Sequence, residues 1–227
     1  MNKKNYLLDL NNSKKPFIIY KSDKGFDLYT DFSKKVILNN KNIEKFINKN
    51  TKLKSTYKET DLYIGFFGYE ILNNLIDVKI KKQKTINFPK GIFYKPETKV
   101  KLSNNLEYKK TRLSYPSDLF KININKKSYK IIFDKFKKKI KSGETYQIKI
   151  CTKYSNKSQI DALDFFSRLV KTNMAPEAFM IKDKNYSIIS CSPENLITKK
   201  NNFITTKPIA GTLKKTKKLN KNKALTF

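Results

Sequence analysis

The chain of 227 residues contains no histidine and no tryptophan, and little glycine (6), proline (7), cysteine (2) or arginine, which is represented by Arg112 and Arg168. Without histidine these residues can hold no Ser-His or Cys-His nucleophile pair and no His-ligated metal. The few glycines are too scattered for a phosphate-cradling loop of the Walker or dinucleotide type. No apolar run approaches the length of a membrane span, and Met1-Asn2-Lys3-Lys4-Asn5-Tyr6 leads into no signal-peptide core, so the expected location is cytoplasmic with no membrane partner. In that reducing compartment Cys151 and Cys191, both in expected strands, read as small buried thiols and not as a disulfide or metal pair.

Acidic residues are also scarce: 19 Asp and Glu stand against 50 Lys and Arg, a formal charge of +31. Such a charge invites a nucleic-acid partner, because lysines that neutralise phosphates release counterions. Two features argue against it. Surfaces that read phosphates and bases favour the planar fork of arginine, and the lysines are spread along the whole chain together with Asn and Ile, as in the drift of an A+T-rich genome. Phe and Tyr (16 and 13) sit in short runs with Ile and Leu. That composition belongs to a packed core and not to a disordered tail.

The chain is long enough for one large or two small domains. Residues 16–21 read as an apolar strand, Ser22 to Gly25 as a turn, and 26–32 as the returning strand. A short helix is expected at 42–48. Residues 62–69 read as a buried strand whose two glycines admit a second backbone. The polar stretch 112–125 marks a boundary, dividing the chain into 1–120 and 121–227. Beyond it, Tyr129, Ile132, Phe133, Phe136 and Ile140 recur at helical spacing, and Gly143 can end that helix in the left-handed conformation. A strand at 146–154 and a helix at 160–170 follow. Short strands are then expected at 178–181, 186–190, 195–198 and 203–206. The mixture implies an α+β architecture.

Four short motifs carry the chemistry. Ser190-Cys191-Ser192-Pro193-Glu194-Asn195-Leu196 reads as a strand turning into a helix start, with Ser192 as cap and Pro193 at the first helical position. Thr206-Lys207-Pro208-Ile209-Ala210-Gly211-Thr212 places a rigid, small-residue turn before a hydroxyl, where backbone N–H groups can meet an anionic small molecule. Gly143-Glu144-Thr145-Tyr146-Gln147 follows the lysine-rich helix, and Gly65-Phe66-Phe67-Gly68-Tyr69-Glu70 lies upstream. In this order and spacing the four resemble the chorismate-utilising enzymes, above all anthranilate synthase component I. The resemblance implies two packed β-sheets with outer helices and a chorismate pocket between the sheets.

It also implies roles for particular residues. Family members that use water as nucleophile resemble this chain but have a lysine base at Gln147, and an amide cannot take that proton. Gln147 also has a plainer reading, as a strand residue bonded in the core. Aminodeoxychorismate synthases of the most familiar type have a lysine nucleophile at Ala210. Gln147 and Ala210 together resemble the anthranilate synthase pattern, in which ammonia attacks the ring. Some aminodeoxychorismate synthases also lack the lysine, so component I of that enzyme is the alternative, and a non-catalytic basic protein derived from the fold is another. Gly211 and Thr212 are expected against bound chorismate, able to donate to a carboxylate or a departing oxygen. For Ser192 and Glu194 the structural reading is favoured. The family's inhibitor pocket maps onto Tyr20, Lys21 and Ser22 and onto Asn173, Pro176 and Phe179, with the acidic residue of the first motif missing. In the family well over a third of the sequence follows the Thr212 motif and supplies the Mg2+ ligands and a catalytic histidine. The chain is therefore expected to be an N-terminal portion, inactive alone, of an enzyme partnered by a glutamine amidotransferase subunit.

Overall fold

The computed structural model describes residues 3–22, 24–50, 58–76, 88–103, 106, 108, 120–158, 160–200 and 202–209. Contacts divide the chain into two compact units, Met1–Lys109 with Ala162–Phe227, and Lys110–Asp161. The fold is mixed α+β.

The first unit is built on one six-stranded sheet in the order β3-β4-β2-β1-β7-β8. Its strands are β1 (Phe17–Ser22), β2 (Gly25–Ile37), β3 (Ile64–Phe67), β4 (Gly91–Leu102), β7 (Glu177–Lys182) and β8 (Ser187–Ser192), every pair antiparallel. Phe17, Ile18 and Ile19 are all buried, which marks β1 as a central strand covered on both faces. Alternation divides its side chains. Phe17 and Ile19 join Phe26, Leu28, Ala178 and Met180 under two helices, α1 (Lys3–Asn12) through Leu7 and Leu10, and α5 (Ala162–Asn173) through Leu163 and Phe166. Ile18 faces the other way with Tyr29, Ile92, Tyr94 and Ile181. A third cluster gathers Leu38, Ile71 and Phe93 on α2 (Ile43–Asn50), whose Ile43 is buried, and the short helix α3 (Leu72–Leu75) follows a 3-10 turn at Tyr69–Ile71. The long β2 bends where its register with β4 shifts between Phe32 and Lys34, next to Asp31 at φ 52°.

Beyond β8 the chain forms a separate hairpin, β9 (Asn195–Lys200) with β10 (Phe203–Lys207). The helix start expected at Ser192-Pro193-Glu194 is not there. Ser192 Oγ does accept from the Glu194 N–H at 3.3 Å, the bond a cap would make. The run Asn195-Leu196-Ile197-Thr198 nevertheless stays extended, because it pairs with β10. The strand expected at 146–154 is also replaced: among the described residues only β6 (Tyr154–Ser155) pairs there, and Cys151, expected to be buried, is exposed. Helix α1 was not foreseen at all.

The second unit holds β5 (Lys121–Ile122), paired with β6, and α4 (Lys126–Lys141). Asn125 caps α4, its Oδ1 accepting from the Ser128 N–H at 2.8 Å. At the far end Gly143, at φ 78°, donates to Ile140 O at 3.1 Å, while Glu144 N–H donates to Lys139 O at 3.0 Å. These two bonds are the Schellman closure that a glycine in this position permits. Replacing Asn125 by alanine removes one capped donor and is expected to weaken the first turn of α4 by about 1 kcal/mol. Amide exchange there should quicken by about fivefold while exchange in the six-stranded sheet stays unchanged.

Candidate functional site

Pairing of β1 with β7 sets Tyr20 opposite Phe179 and carries the end of β1 to the connection between α5 and β7, far away in sequence. The Tyr20 hydroxyl donates to Glu177 Oε2 at 2.8 Å, and the Asn195 amide donates to Glu177 Oε1 at 2.9 Å. The Lys21 ammonium donates to the Ala175 carbonyl. Tyr20, Lys21, Pro176 and Phe179 therefore meet at one corner, with Asn173 two residues before Ala175 at the end of α5. Ser22 lies beside them in the hairpin turn, its hydroxyl donating to Gly25 O at 3.2 Å. Asn173 and Pro176 are exposed, and Phe179 is half-buried against Ile18 and Tyr29. The corner does have an acidic group, Glu177. It stands inside the Asn173 to Phe179 motif.

A second carboxylate, Asp27 of β2, lies opposite Tyr20 on the other side of β1. It is buried. Its Oδ2 is 3.4 Å from Lys99 Nζ, and its Oδ1 has no hydrogen-bond partner among the described residues. Lys99 also reaches Glu59 at 3.5 Å and lies over the Tyr29 ring. Burial pulls the Lys99 ammonium down, but the neighbouring Tyr29, Asp27 and Glu59 outweigh it and raise its pKa. Burial raises the Tyr29 phenol.

Past the other end of β7, Asp183 gathers a cluster of its own. Its Oδ2 accepts from Lys35, from the Tyr94 hydroxyl, and from Tyr186 at 3.1 Å, and its Oδ1 accepts from the Lys184 N–H at 2.6 Å. Burial pushes the carboxyl up, yet the bonds from Lys35, Tyr94 and Lys184 prevail and hold it at about 2. Burial pushes the Tyr186 phenol up to about 12 and raises Tyr94 further. Every polar group here is engaged by another, so the cluster ties the β7–β8 turn to β2 and β4.

The corner at Glu177 gathers a phenol, an amide, a carboxylate and an ammonium, each bonded within the chain. Half-buried Cys191 stands opposite Ala178, and burial raises its thiol pKa against the pull of Lys21. Among the described residues no group of three His, Cys, Asp or Glu could hold a metal ion, and Asp27 and Glu59 both face Lys99. These residues do not fit Mg2+.

Of the residues expected at substrate, Ala210, Gly211 and Thr212 lie outside the described residues. Just before them, Ile209 N–H donates to Glu194 Oε1 at 3.3 Å. Gln147 is exposed, in the irregular segment after α4 where Thr145 Oγ1 donates to its carbonyl at 3.3 Å. Its reading as a core strand residue does not hold.

A family profile described as "chorismate binding enzyme" matches residues 3–226. Anthranilate synthase component 1 of Buchnera aphidicola subsp. Pemphigus spyrothecae is 26% identical over 202 residues, covering 72% of this chain and 38% of the relative. An anthranilate synthase component I-like protein of Synechocystis is 22% identical over 188 residues, 72% of this chain and 39% of the relative. Aminodeoxychorismate synthase component 1 of Bacillus subtilis is 29% identical over 92 residues, 40% of this chain and 20% of that protein. The chain thus spans less than two fifths of each of these relatives.

Proposed function

This chain belongs to the chorismate binding enzyme family, and from that premise we propose that it is the N-terminal portion of an anthranilate synthase large subunit, which converts chorismate and ammonia to anthranilate and pyruvate for tryptophan biosynthesis. The observation that carries the reading is the likeness across 202 residues to a protein named anthranilate synthase component 1. Gln147 and Ala210 support it from the chemistry: neither can activate water or form a covalent ring adduct, which leaves ammonia as the attacking group. In this reading Ala210, Gly211, Thr212 and Gln147 contact chorismate, a glutamine amidotransferase subunit delivers ammonia, and the reaction runs in the cytoplasm. Its Mg2+ would be held by residues outside those described. The boundary near residue 120 is part of the same proposal, as is an inhibitor pocket at Tyr20, Lys21, Ser22, Asn173, Pro176 and Phe179, now joined by Glu177. Aminodeoxychorismate synthase component I is the second reading, favoured by the Bacillus subtilis relative of that name.

The test uses this chain alone and a completed protein in which the unspanned part of the Buchnera aphidicola relative is joined to it. With chorismate, magnesium and an ammonia source, the chain alone is expected to give no fluorescent product above a no-protein control. The completed protein is expected to give anthranilate and pyruvate, resolved by chromatography. Isochorismate as the main product would overturn the argument from Gln147, and 4-amino-4-deoxychorismate the argument from Ala210.

A further inference from the structure

Among the described residues the strands of the β9–β10 hairpin pair only with each other. A two-stranded ribbon of this kind is marginal in water, so its placement depends on what ties its base. Asn195, the first residue of β9, stands opposite Lys207, the last of β10, and donates its side-chain amide to Glu177 Oε1 at 2.9 Å. Its Oδ1 accepts from Thr198 Oγ1 at 3.1 Å, and turning the amide over would set that oxygen against the carboxylate. The Tyr20 hydroxyl holds Glu177 from the other side, at 2.8 Å on Oε2. Beside Asn195, Glu194 Oε1 accepts from the Ile209 N–H at 3.3 Å. Both ends of the hairpin are thus linked through residues 194 and 195 to Glu177 of β7 and Tyr20 of β1. In sequence the next residues are Ala210, Gly211 and Thr212.

We propose that Glu177 is a positioning residue for chorismate: acting through Asn195, it fixes the base of the β9–β10 hairpin on the six-stranded sheet, so that Ala210, Gly211 and Thr212 start from a fixed Ile209. The inference rests on the substrate contacts proposed above and adds a residue that itself touches no substrate. A carboxylate suits the place because both of its neighbours are donors, and each of its oxygens takes one of them. Its charge shortens and strengthens both bonds. Glu177 belongs to none of the hydrophobic clusters of the first unit, so removing it loosens the ribbon without emptying a core. Contacts made by a loosened segment bind more weakly, because its ordering is then a cost of binding. Glutamine separates geometry from charge. Its oxygen can accept from Asn195 while its amide donates to the Tyr20 hydroxyl, whereas alanine loses both bonds.

The experiment follows amide exchange in this chain and chorismate affinity, by calorimetry, in the completed protein. Glu177→Ala is expected to quicken exchange in 195–207 about tenfold while β1 and β2 keep the parent rates, and to weaken chorismate binding about tenfold. Glu177→Gln should restore the parent exchange and bring the affinity back to within about threefold of the parent. Asn195→Ala should reproduce Glu177→Ala, and the double variant should be no worse than either, because the two act through one bond. If Glu177→Ala does not fold, Asn195→Ala carries the test. Tyr94→Phe removes a buried hydrogen bond elsewhere in the same sheet and should leave both the hairpin exchange and the chorismate affinity unchanged. The inference is overturned if Glu177→Ala and Asn195→Ala keep the parent exchange or the parent affinity, if glutamine does not restore them, or if Tyr94→Phe weakens chorismate binding as much. Product analysis is scored separately. A completed protein that binds chorismate and releases another product defeats the proposed reaction and leaves this inference to the affinities, and one that binds no chorismate defeats both.

Discussion

Replacing Gly65 by alanine is expected to lower the unfolding free energy by about 3 kcal/mol, at the upper end of what overpacking costs. Gly65 of β3 stands opposite Phe93 of β4. A Cβ there would lie 1.9 Å from the Ile92 carbonyl oxygen and 2.8 Å from the Ile92 carbonyl carbon and the Phe93 Cα. All three are main-chain atoms, so no rotamer change relieves the clash. Either β3 leaves the sheet or β4 bends, and both disturb the packing of Tyr94 and Ile92. A loss of this size is a large share of the roughly 5–15 kcal/mol by which a domain is usually stable. Gly143 is the control. It has positive φ but nothing within 4 Å of its added Cβ, so Gly143→Ala should cost only the left-handed strain, about 1 kcal/mol. Urea melts of the two variants decide the matter: equal midpoints would show that β3 is not packed against β4 as described.

The second large effect is on acid stability. Lys35, Tyr94 and the Lys184 N–H hold the buried Asp183 carboxyl at about 2, below the unfolded value of about 3.9. A carboxyl depressed in this way stabilises the fold fully above the unfolded pKa, and the contribution disappears as pH falls through the folded one. The parent protein should therefore lose about 2 kcal/mol between pH 5 and pH 2 that Asp183→Asn does not lose. At pH 7 the Asn variant should already be less stable by about the same amount. Tyr94→Phe, at a position 1% exposed, removes one donor and should cost about 1–2 kcal/mol while raising the pKa of Asp183. Chemical denaturation at a series of pH values measures all three. Parallel pH profiles for parent and Asp183→Asn would show that the carboxylate is not held by this cluster.

Much of the fold can be read locally. The Phe17-Ile18-Ile19 run announces a central strand, the spacing from Tyr129 to Ile140 announces α4, and Gly143 ends that helix as its φ of 78° requires. Gly65 signals a close backbone approach, and Ile92 makes it. Four motifs in order point to the chorismate binding enzyme family, which the match over 3–226 bears out. These features depend on rules that act within a few residues, namely the period of the side chains, the φ that glycine tolerates and the donors a cap satisfies.

Other features depend on partners distant in sequence. Ser192 makes a cap-like bond, and whether a helix or a strand follows is decided by β10. Residues 146–154 alternate as a strand should, but among the described residues no strand is there for most of them to pair with. Tyr20 meets Glu177 across 157 residues and Tyr94 meets Asp183 across 89 because the sheet sets β7 beside β1 and folds its end toward β4. Sequence by itself determined the central strand β1, the helix α4 with its glycine end, and the family to which the chain belongs. Tertiary structure alone decided which strand each extended segment joins and which carboxylate each tyrosine finds, because the free energy of pairing and burial belongs to the contact and not to either segment.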